Sequence, residues 1–426
     1  MPSDDRHADS HPDVLHDPRG PRHGVNPGQP LAGVTVVALE QAVSAPLCTR
    51  TLGDLGARVL KVENPRGGDF TRGFDDVVGG LAAHFVWLNR GKESVALDVR
   101  HPDGRTVLHR LLDSADVLVS NLAPGAVSRL GLGADDLDRD HPRLVSVEIS
   151  GYGTGGPLSG KRAYDLLVQA ETGVCAITGT PGAPAKPGPP FADGVTGLYA
   201  AIAVLGALTE RATTGVGARL AVSMFDAMTE LMGYPLTWTA ATGVDQQPVG
   251  MGSPAVAPYG AYHTADGRTV VLGTTNDAEW ARLATDLLGR PDLVTDERYR
   301  HNPDRVAHRA ELDALLGEWC GKRSLVDVQA AADAAGIGNS VYRTPSEVVE
   351  HPHLAARDRW RDVDTPAGPV RALLPPAIVA GHTAPMGPVP ALGAHTDAVL
   401  TELGLTPHEL ADLRAAGVLG ARTPED

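Results

Sequence analysis

Short β-branched runs alternate with helical stretches along the first half of the chain. VTVVAL at 34–39 and ARVLKVE, which ends at Glu63, have the length of strands, and PLCTRTLGDLG between them has the pattern of a helix. Further strands are predicted at VALDV (95–99), at VLVS (117–120) and at LVSVEIS, which ends at Ser150. This alternation is typical of a parallel sheet, whose ligands lie beyond the carboxyl ends of its strands.

The pattern divides the chain into four parts. Residues 1–29 are polar and rich in Pro and His, so we predict a disordered tail. Residues 30–224 form the first part of a large domain with an open, Rossmann-like parallel sheet, an α/β fold. A smaller α/β domain is predicted over 225–335, where PYGAYHTADGRTVVLGT favours a hairpin with an Asp-Gly turn. Residues 336–426 then act as a linker and return to the large domain.

Charge and composition limit the partners of the chain. A net charge of −15 opposes binding to nucleic acid or to anionic lipid. No apolar run approaches the ~20 residues of a membrane span, and the first residues have no apolar core of a signal peptide. Three scattered cysteines do not make a disulfide framework or a zinc site. We therefore expect a cytoplasmic protein with no metal and no membrane partner.

Candidate chemistry is concentrated in SGYGTGGPLSGKRAYDLLVQAETG and PAKPGPPFADGVTG. Asp165 and Gln169 are four residues apart, so they share one face if this segment is helical. Asp193 is predicted in a turn directly before an apolar helix, whose amino end favours a carboxylate. An Asp-Gly pair is also an ordinary turn signal. The pattern GxxxxGK[ST] does not occur, which removes the usual support for a P-loop site.

These segments resemble the class III CoA-transferases, a family that includes formyl-CoA transferase, carnitine CoA-transferase and alpha-methylacyl-CoA racemase. The resemblance runs through LAGVTVVALEQAVSAPLCTRTLGDLGARVLKVENPRGGDFTR, FVWLNRGKESVALDVRHPDGR, ADVLVSNLAPGAVSRLG and RAYDLLVQAETG, and on through FADGVTGLYAAIAVLGALTERATTGVGARLAVSMFDA. It covers nearly everything after residue 30. The details EQAVSAP and VPALGAHTDAVL are similar to the branch that acts on C4 and C5 dicarboxylic acids such as succinate, mesaconate, itaconate and citramalate.

The resemblance implies covalent catalysis by Asp193, which would attack an acyl-CoA thioester and form a mixed anhydride and then an aspartyl-CoA thioester. Such an anhydride must be protected from water. A glycine-rich loop covers the site in the family, and we assign it to Gly250, Met251 and Gly252. An ordinary turn before the hairpin is the alternative for this segment.

The residue before Asp165 separates two branches of the family. The racemases have a histidine there that exchanges a proton with the substrate, whereas this chain has Tyr164. A tyrosine with a reference pKa of ~10 is poorly suited to that exchange. The sequence therefore favours a CoA-transferase in which Tyr164 and Asp165 accompany Asp193. A racemase or epimerase, or a CoA-binding protein without activity, is the alternative.

The resemblance also implies acyl-CoA and a small carboxylic acid as substrates, and a homodimer of two interlocked chains. The positions that match CoA contacts of the family are Val43, Ser44, Arg72, Asn89, Arg90, Lys92, Asn121, Leu122 and Arg129. Any single arginine among them could instead be an ordinary surface residue. Val43 and Asn64 replace a functional glutamine and an arginine of formyl-CoA transferase, so formate and oxalate are not favoured as acids.

Overall fold

The structure is a computed structural model that describes residues 28–420. All but the last two residues of the tail predicted over 1–29 lie outside the described residues, and so do 421–426. The description below concerns the part of the chain between these ends.

A six-stranded sheet forms the centre of the large domain, and every strand is parallel to its neighbours. The strand order is β3-β2-β1-β4-β5-β8, with bounds β1 Thr35–Leu39, β2 Arg58–Glu63, β3 Lys92–Ala96, β4 Val117–Ser120, β5 Val145–Ser150 and β8 Arg219–Ser223. A two-stranded hairpin lies between β5 and β8, with β6 Gly179–Thr180 and β7 Ala183–Pro184. Strands β2 and β3 are added on one side of β1, and β4, β5 and β8 on the other, so the strand order reverses between β1 and β4. In open α/β sheets, such a switch point opens a crevice for ligands.

The predicted mixed α/β fold with a parallel sheet is confirmed, but the third strand was placed three residues too late. VALDV at 95–99 was expected to form it, whereas β3 runs from Lys92 to Ala96. Lys92 and Ser94 are polar yet buried, because each binds a buried carboxylate. The hydrophobic pattern could not reveal a strand that begins with buried polar residues.

Helices cover both faces of this sheet. Their bounds are α1 Ser44–Asp54, α2 Ala83–Asn89, α3 Pro102–Asp113, α4 Ala126–Arg129, α5 Ala134–Asp140, α6 Asp165–Glu171, α7 Val174–Ile177, α8 Phe191–Thr214, α9 Met224–Leu231 and α10 Gly233–Thr242, with a 3₁₀ turn at Phe70–Gly73. One core lies under α3 and another under α1 and α8. The sheet is therefore buried on both sides, as an all-parallel sheet requires.

Helix α8 is long and apolar enough to cross a membrane, judged by length and composition only. One such helix is weak evidence of a span. Its inner face, with Ala200, Ala201 and Val204, packs with α1 into the core of the sheet. Its position is that of a core helix in a globular domain.

The small domain has a sheet and a core of its own. The predicted hairpin is confirmed: β9 Tyr259–His263 pairs antiparallel with β10 Thr269–Gly273, and Gly267 takes the left-handed conformation in the turn, with φ 76°. A third strand, β11 Gly338–Val341, pairs with β10. Five helices and one π-helix turn, Leu283–Leu287, pack on this sheet: α11 Asp277–Arg282, α12 Asp292–Thr295, α13 Asn302–Ala307, α14 Arg309–Gly321 and α15 Leu325–Ala334.

The domain boundaries differ in detail from the predicted 225–335. The core of the small domain spans residues 257–337, and β11 extends the domain to Val341. Helix α9 packs instead against α8 and α6 of the large domain, because Met224 and Met228 belong to a core cluster there. The chain thus leaves the large domain between α10 and β9.

The last part of the chain returns to the edge of the large sheet. Helices α16 Pro345–Val349 and α17 Pro352–Ala356 lead to a hairpin, β12 Trp360–Val363 and β13 Val370–Leu373, and the chain ends in α18 Thr396–Glu402 and α19 Pro407–Ala415. The hydroxyl of Thr396 accepts a hydrogen bond from the amide of Ala96 in β3. Leu400, Leu410 and Val418 join the core under α3, which ties the end of the chain to the sheet.

Candidate active site

A cavity of about 1210 Å³ opens beyond the carboxyl ends of the parallel strands. It is large enough for a cofactor-sized ligand. Its wall contains the segments that follow β1, β2, β3, β4 and β5, and Asp193 from α8. At the switch point, the side chain of Asn121 accepts a hydrogen bond from the backbone amide of Gln41 at 2.9 Å and donates one to the carbonyl of Gln41 at 2.7 Å. This pair joins the ends of β1 and β4 under the cavity.

Asp193 lies in the first turn of α8 rather than in a turn before it. The helix begins at Phe191 because the carboxylate of Asp165 accepts hydrogen bonds from the amides of Ala192 (2.8 Å) and Asp193 (3.3 Å). These amides have no acceptor inside the helix, so Asp165 caps it from outside. Asp165 is therefore a positioning residue that fixes the backbone of Asp193.

The environment of Asp193 favours an uncharged carboxyl. Burial raises the pKa of the Asp193 carboxyl to about 7, and the neighbouring carboxylate of Asp165 adds to the rise. The nearby polar groups of Ser44 act in the opposite direction and lower this pKa. A carboxylate with a pKa near neutrality is poorly solvated and basic, and perturbed groups of this kind are concentrated at functional sites.

The predicted partners of Asp193 come together around it. Gln169 is fully buried in α6 and donates from its side chain to Asp165 at 2.7 Å, which confirms that the two share a helix face. Tyr164 is more than half exposed and lines the cavity. No histidine is among the lining residues, and residues 28–420 contain no group of three or more His, Cys, Asp or Glu side chains that could hold a metal ion.

Cations on the cavity wall are available to an anionic ligand. Arg105, Arg129 and Arg162 line the cavity, and within residues 28–420 none of them forms an ion pair with a carboxylate. Of the predicted CoA contacts, Ser44, Asn121, Leu122 and Arg129 line the cavity. Unpaired guanidinium groups are suited to phosphate, which they can bind through two hydrogen bonds.

Five predicted CoA contacts do not line the cavity, and their role toward CoA stays a prediction. Their side chains already have partners inside the protein. Val43 packs on Leu47 and Leu88, Arg72 binds Glu63 and stacks on Phe85, Asn89 binds Lys92, Arg90 binds Asp54, and Lys92 binds Glu40.

The loop Gly250–Gly252 does not line the cavity. The amide of Gly250 donates to the carbonyl of Gly179 at 2.7 Å, so the loop lies beside the β6–β7 hairpin. That hairpin precedes Asp193 by only nine residues, which places the predicted covering loop near the segment that leads into α8. Its role as a cover stays a prediction.

The sequence analysis missed the residues that follow β3. Asp98, Arg100 and Arg105 line the cavity, although Arg100 is paired with Asp98 at 3.0 Å. The signal was present in DVRHPDGR, a basic segment directly after a strand. Placing the strand at 95–99 hid it, because its end then came three residues too late.

Comparisons with known proteins give the family. The model of CoA-transferase family III matches residues 31–396. An acyl-CoA transferase of Fusarium pseudograminearum is 35% identical over 405 residues, which cover 91% of this chain and 88% of that protein. A succinyl-CoA--D-citramalate CoA-transferase of Chloroflexus aurantiacus is 32% identical over 401 residues, 92% of this chain and 99% of that protein.

The same family appears among solved structures. A crystal structure of a CAIB/BAIF family protein from Brucella suis superposes with a TM-score of 0.76 at 35% identity, and it covers 88% of this chain and 99% of that one. The family match over most of the chain and the relatives above 30% identity over most of their length lead to one conclusion. The chain belongs to CoA-transferase family III and is a class III CoA-transferase.

Proposed function

We propose that the enzyme moves CoA between an acyl-CoA and a small dicarboxylic acid, with Asp193 as the covalent nucleophile. The observation that carries this proposal is the Asp193 carboxyl, which lies on the cavity wall, where burial and the neighbouring carboxylate of Asp165 raise its pKa to about 7. A desolvated carboxylate is a better nucleophile than a hydrated one, because less water must be removed from it before attack.

The reaction proceeds in four balanced steps. An oxygen of Asp193 attacks the thioester carbonyl carbon and the C–S bond breaks, which leaves a mixed anhydride and CoA thiolate. The thiolate attacks the side-chain carbonyl carbon of Asp193 and expels the first acid as a carboxylate. The incoming carboxylate attacks the resulting aspartyl thioester and again releases thiolate. The thiolate finally attacks the new acyl carbon, which regenerates Asp193.

The bound CoA would extend from Asp193 along the strand ends. Arg105 and Arg129 are the cations that we assign to its phosphates, and Asn121 and Leu122 border the same groove. No lining residue is a histidine. This composition supports transfer over proton exchange at the alpha carbon, for which a base near neutral pKa would be needed.

A dicarboxylic acid needs a cation for the carboxylate that does not react. Arg162 lies on the cavity wall beside Tyr164 and is the group we assign to it, because Lys161 on the same wall is already paired with Glu171 at 3.2 Å. The Chloroflexus relative is named for succinyl-CoA and D-citramalate, both derived from dicarboxylic acids. The likeness supports succinate, mesaconate, itaconate and citramalate as the first acids to test.

We also propose a homodimer. Large apolar side chains are exposed on neighbouring helices of the large domain, and α10 has no buried residue at all. A helix without a buried face gains nothing from its own domain, so a partner must cover it. The exposed set is Leu166, Leu167, Leu198, Ile202, Leu231, Tyr234, Leu236 and Trp238.

Interlocking of the two chains is the finer part of this proposal, and the extended segment between β13 and α18 fits it. Interlocked chains cannot separate without unfolding. A folded monomer in light scattering at low concentration would contradict it. A cytoplasmic location stays a prediction.

The experiment for the proposed function is an exchange assay between several acyl-CoAs and a panel of free mono- and dicarboxylic acids. Asp193→Ala should lower the transfer rate by at least about 10³-fold, because the covalent route is lost. Asp103→Ala is the matched control, since Asp103 is also an aspartate in a first helical turn but is solvent-exposed. Transfer at the wild-type rate in Asp193→Ala would overturn the proposal.

A further inference from the structure

Gln41 is the second residue after β1, and it lines the cavity. The side chain of Asn121, which follows β4, binds both backbone groups of Gln41, the amide at 2.9 Å and the carbonyl at 2.7 Å. The carboxamide of Gln41 is half-buried and has no hydrogen-bond partner among residues 28–420. The backbone of Gln41 is therefore fixed, while its side chain is left for a ligand.

The backbone on the other side of Gln41 is strained. Ala42 has φ 62°, in the left-handed region that residues with a side chain rarely adopt. Its amide donates to the carboxylate of Asp69 at 3.2 Å, and this buried carboxylate also accepts from the ammonium of Lys61 at 2.8 Å. Such strain persists only where the surroundings fix it, and it is concentrated at functional sites. The turn that contains Gln41 is thus held from both sides before any ligand binds.

The segment after Gln41 leads toward the nucleophile. It reaches Ser44, the first residue of α1, which also lines the cavity. Gly197 lies one helical turn beyond Asp193 on α8, and a Cβ atom at Gly197 would lie 2.5 Å from the carbonyl oxygen of Ser44. The backbones of α1 and α8 are therefore in close contact, so the start of α1 lies beside the first turns of α8.

The segment after Asn121 leads in the other direction, toward Arg129. Residues 122–125 line the cavity, and so does Arg129. The guanidinium of Arg129 lies beside Gly125, because a Cβ atom at Gly125 would be 3.1 Å from Nη1 of Arg129. The pair of Gln41 and Asn121 therefore lies where the segment toward Asp193 and the segment toward Arg129 meet.

We propose that Gln41 binds the amide-containing arm of CoA, between the thioester and the phosphates, and that Asn121 is a positioning residue that acts through Gln41. The proposal rests on the proposed function, which places the thioester at Asp193 and assigns phosphate to Arg129. It gives Asn121, which the family resemblance groups with the CoA contacts, a task on the protein backbone instead.

The chemistry of the two side chains fits this division. The arm of CoA contains uncharged amides, each with an N–H group and a C=O group. A carboxamide such as that of Gln41 can donate to the C=O and accept from the N–H of these amides. Asn121 already uses its own carbonyl oxygen and an N–H group on the backbone of Gln41. To bind CoA in the same way, Asn121 would have to release Gln41.

The first test removes the carboxamide and keeps the size of the side chain. Gln41→Leu should raise KM for acyl-CoA about fivefold, the usual effect of one neutral hydrogen bond, with little change in kcat. A contact on the arm is made equally in the ground state and the transition state, so it affects KM alone. Gln329→Leu is the matched control, since Gln329 is also a half-buried glutamine but lies in α15, outside the cavity. An unchanged KM in Gln41→Leu would overturn the proposal.

Shortened substrates identify the part of the substrate that Gln41 binds. An acyl-pantetheine keeps the arm of CoA but has neither phosphates nor nucleotide. With this substrate, Arg129→Ala should lose its effect on kcat/KM, whereas Gln41→Leu should still lower kcat/KM about fivefold. The decrease should be equal for acyl groups with one and with two carboxyl groups. A decrease confined to full-length CoA, or to one class of acyl group, would contradict the arm as the ligand of Gln41.

A double-mutant cycle tests the role of Asn121. Asn121→Ala should raise KM about as much as Gln41→Leu, and the double variant should show no further increase, because both changes remove the same contact. If Asn121 itself bound CoA, the two increases would multiply, and the positioning role would be refuted. Circular dichroism reports whether the variants are folded. If Asn121→Ala does not fold, Asn121→Asp takes its place, since it keeps an acceptor for the amide of Gln41 and loses only the donor.

This proposal and the proposed function fail in different ways. If Asp193→Ala is inactive while Gln41→Leu keeps the wild-type KM for acyl-CoA, the contact of Gln41 is refuted and the nucleophile stands. If Asp193→Ala is fully active, the proposed function itself is refuted. A higher KM in Gln41→Leu that is kept with acyl-pantetheine, and that Asn121→Ala does not increase further, supports the inference.

Discussion

Two sets of charged residues in the large domain have opposite environments. In one set, Glu40, Lys61, Asp69 and Lys92 are buried and bound to one another at 2.7 to 3.2 Å, and two of them, Glu40 and Asp69, also border the cavity. On the cavity wall, Arg105, Arg129 and Arg162 form no ion pair within the described part of the chain. The difference separates scaffold from site: a cation with its own carboxylate has little left to offer a ligand.

The pKa values of the buried set follow its pairing. Burial alone would raise the pKa of Glu40, but Lys61 and Lys92 outweigh it and lower the value. For Lys92, burial prevails and lowers its pKa to about 8. Asp193 contrasts with all of them, because no described cation is paired with it and its nearest charge is another carboxylate. The pKa of Asp193 therefore stays raised, and such perturbed pKa values are concentrated at functional sites.

The largest expected effect is a loss of stability when the buried set of charged residues is disrupted. Lys61→Ala should lower the free energy of unfolding by about 3–5 kcal/mol, because it leaves buried carboxylates with one partner fewer. Lys322→Ala is the matched control, since Lys322 forms an exposed pair with Glu318 and should cost less than about 0.5 kcal/mol. Chemical denaturation of both variants measures the difference. Equal stability of the two would mean that the buried cluster is not scaffold.

The cavity set should show the reverse behaviour. Arg129→Ala should raise KM for acyl-CoA about tenfold or more, because a charge-assisted hydrogen bond contributes about 1.5–3 kcal/mol. Its stability should stay within about 0.5 kcal/mol of the wild type, as for other surface changes. Arg357→Ala, an exposed arginine outside the cavity, serves as control for KM. An unchanged KM in Arg129→Ala would remove Arg129 from the site.

The smallest expected effect is the loss of stability caused by burying the unpaired carboxyl of Asp193. The folded-state pKa of Asp193 is about 7, above its unfolded value, so the folded protein binds the extra proton and loses stability as pH rises from about 4 to about 7. Asp193→Asn should remove this loss. We expect the variant to be more stable than the wild type by about 1–2 kcal/mol at pH 8, with no such gain at pH 4. A gain independent of pH would contradict the assigned pKa.

The same contrast explains what the sequence could and could not predict. Apolar runs located β1, β2, β4 and β5, and motif resemblance located Asp193 and Asp165. The start of β3 was missed because Lys92 and Ser94 are buried through partners that lie distant in the chain. The ion pairs of Arg72 and Arg90 could not be predicted for a similar reason, since only the fold brings Glu63 and Asp54 to them.

Asp193 shows the same limit at the level of one residue. Its Asp-Gly pair indicates a turn, yet the capping carboxylate of Asp165, 28 residues earlier, extends the helix to include it. The contact between Ser44 and Gly197 is also tertiary, and no local pattern predicts it. Hydrophobic periodicity therefore predicts the layers of the fold, whereas pairing across the strand ends determines which polar residues face the ligand.

The central claim is that Asp193 carries the acyl group and then CoA during transfer, and trapping this intermediate tests it most directly. The enzyme is mixed with acyl-CoA in the absence of acceptor acid, treated with hydroxylamine and digested, and the peptide that contains Asp193 is measured by mass spectrometry. We predict a hydroxamate on Asp193 in the wild type and none in Asp193→Asn. Steady transfer of CoA with no modification of Asp193 at any time of quenching would contradict the account.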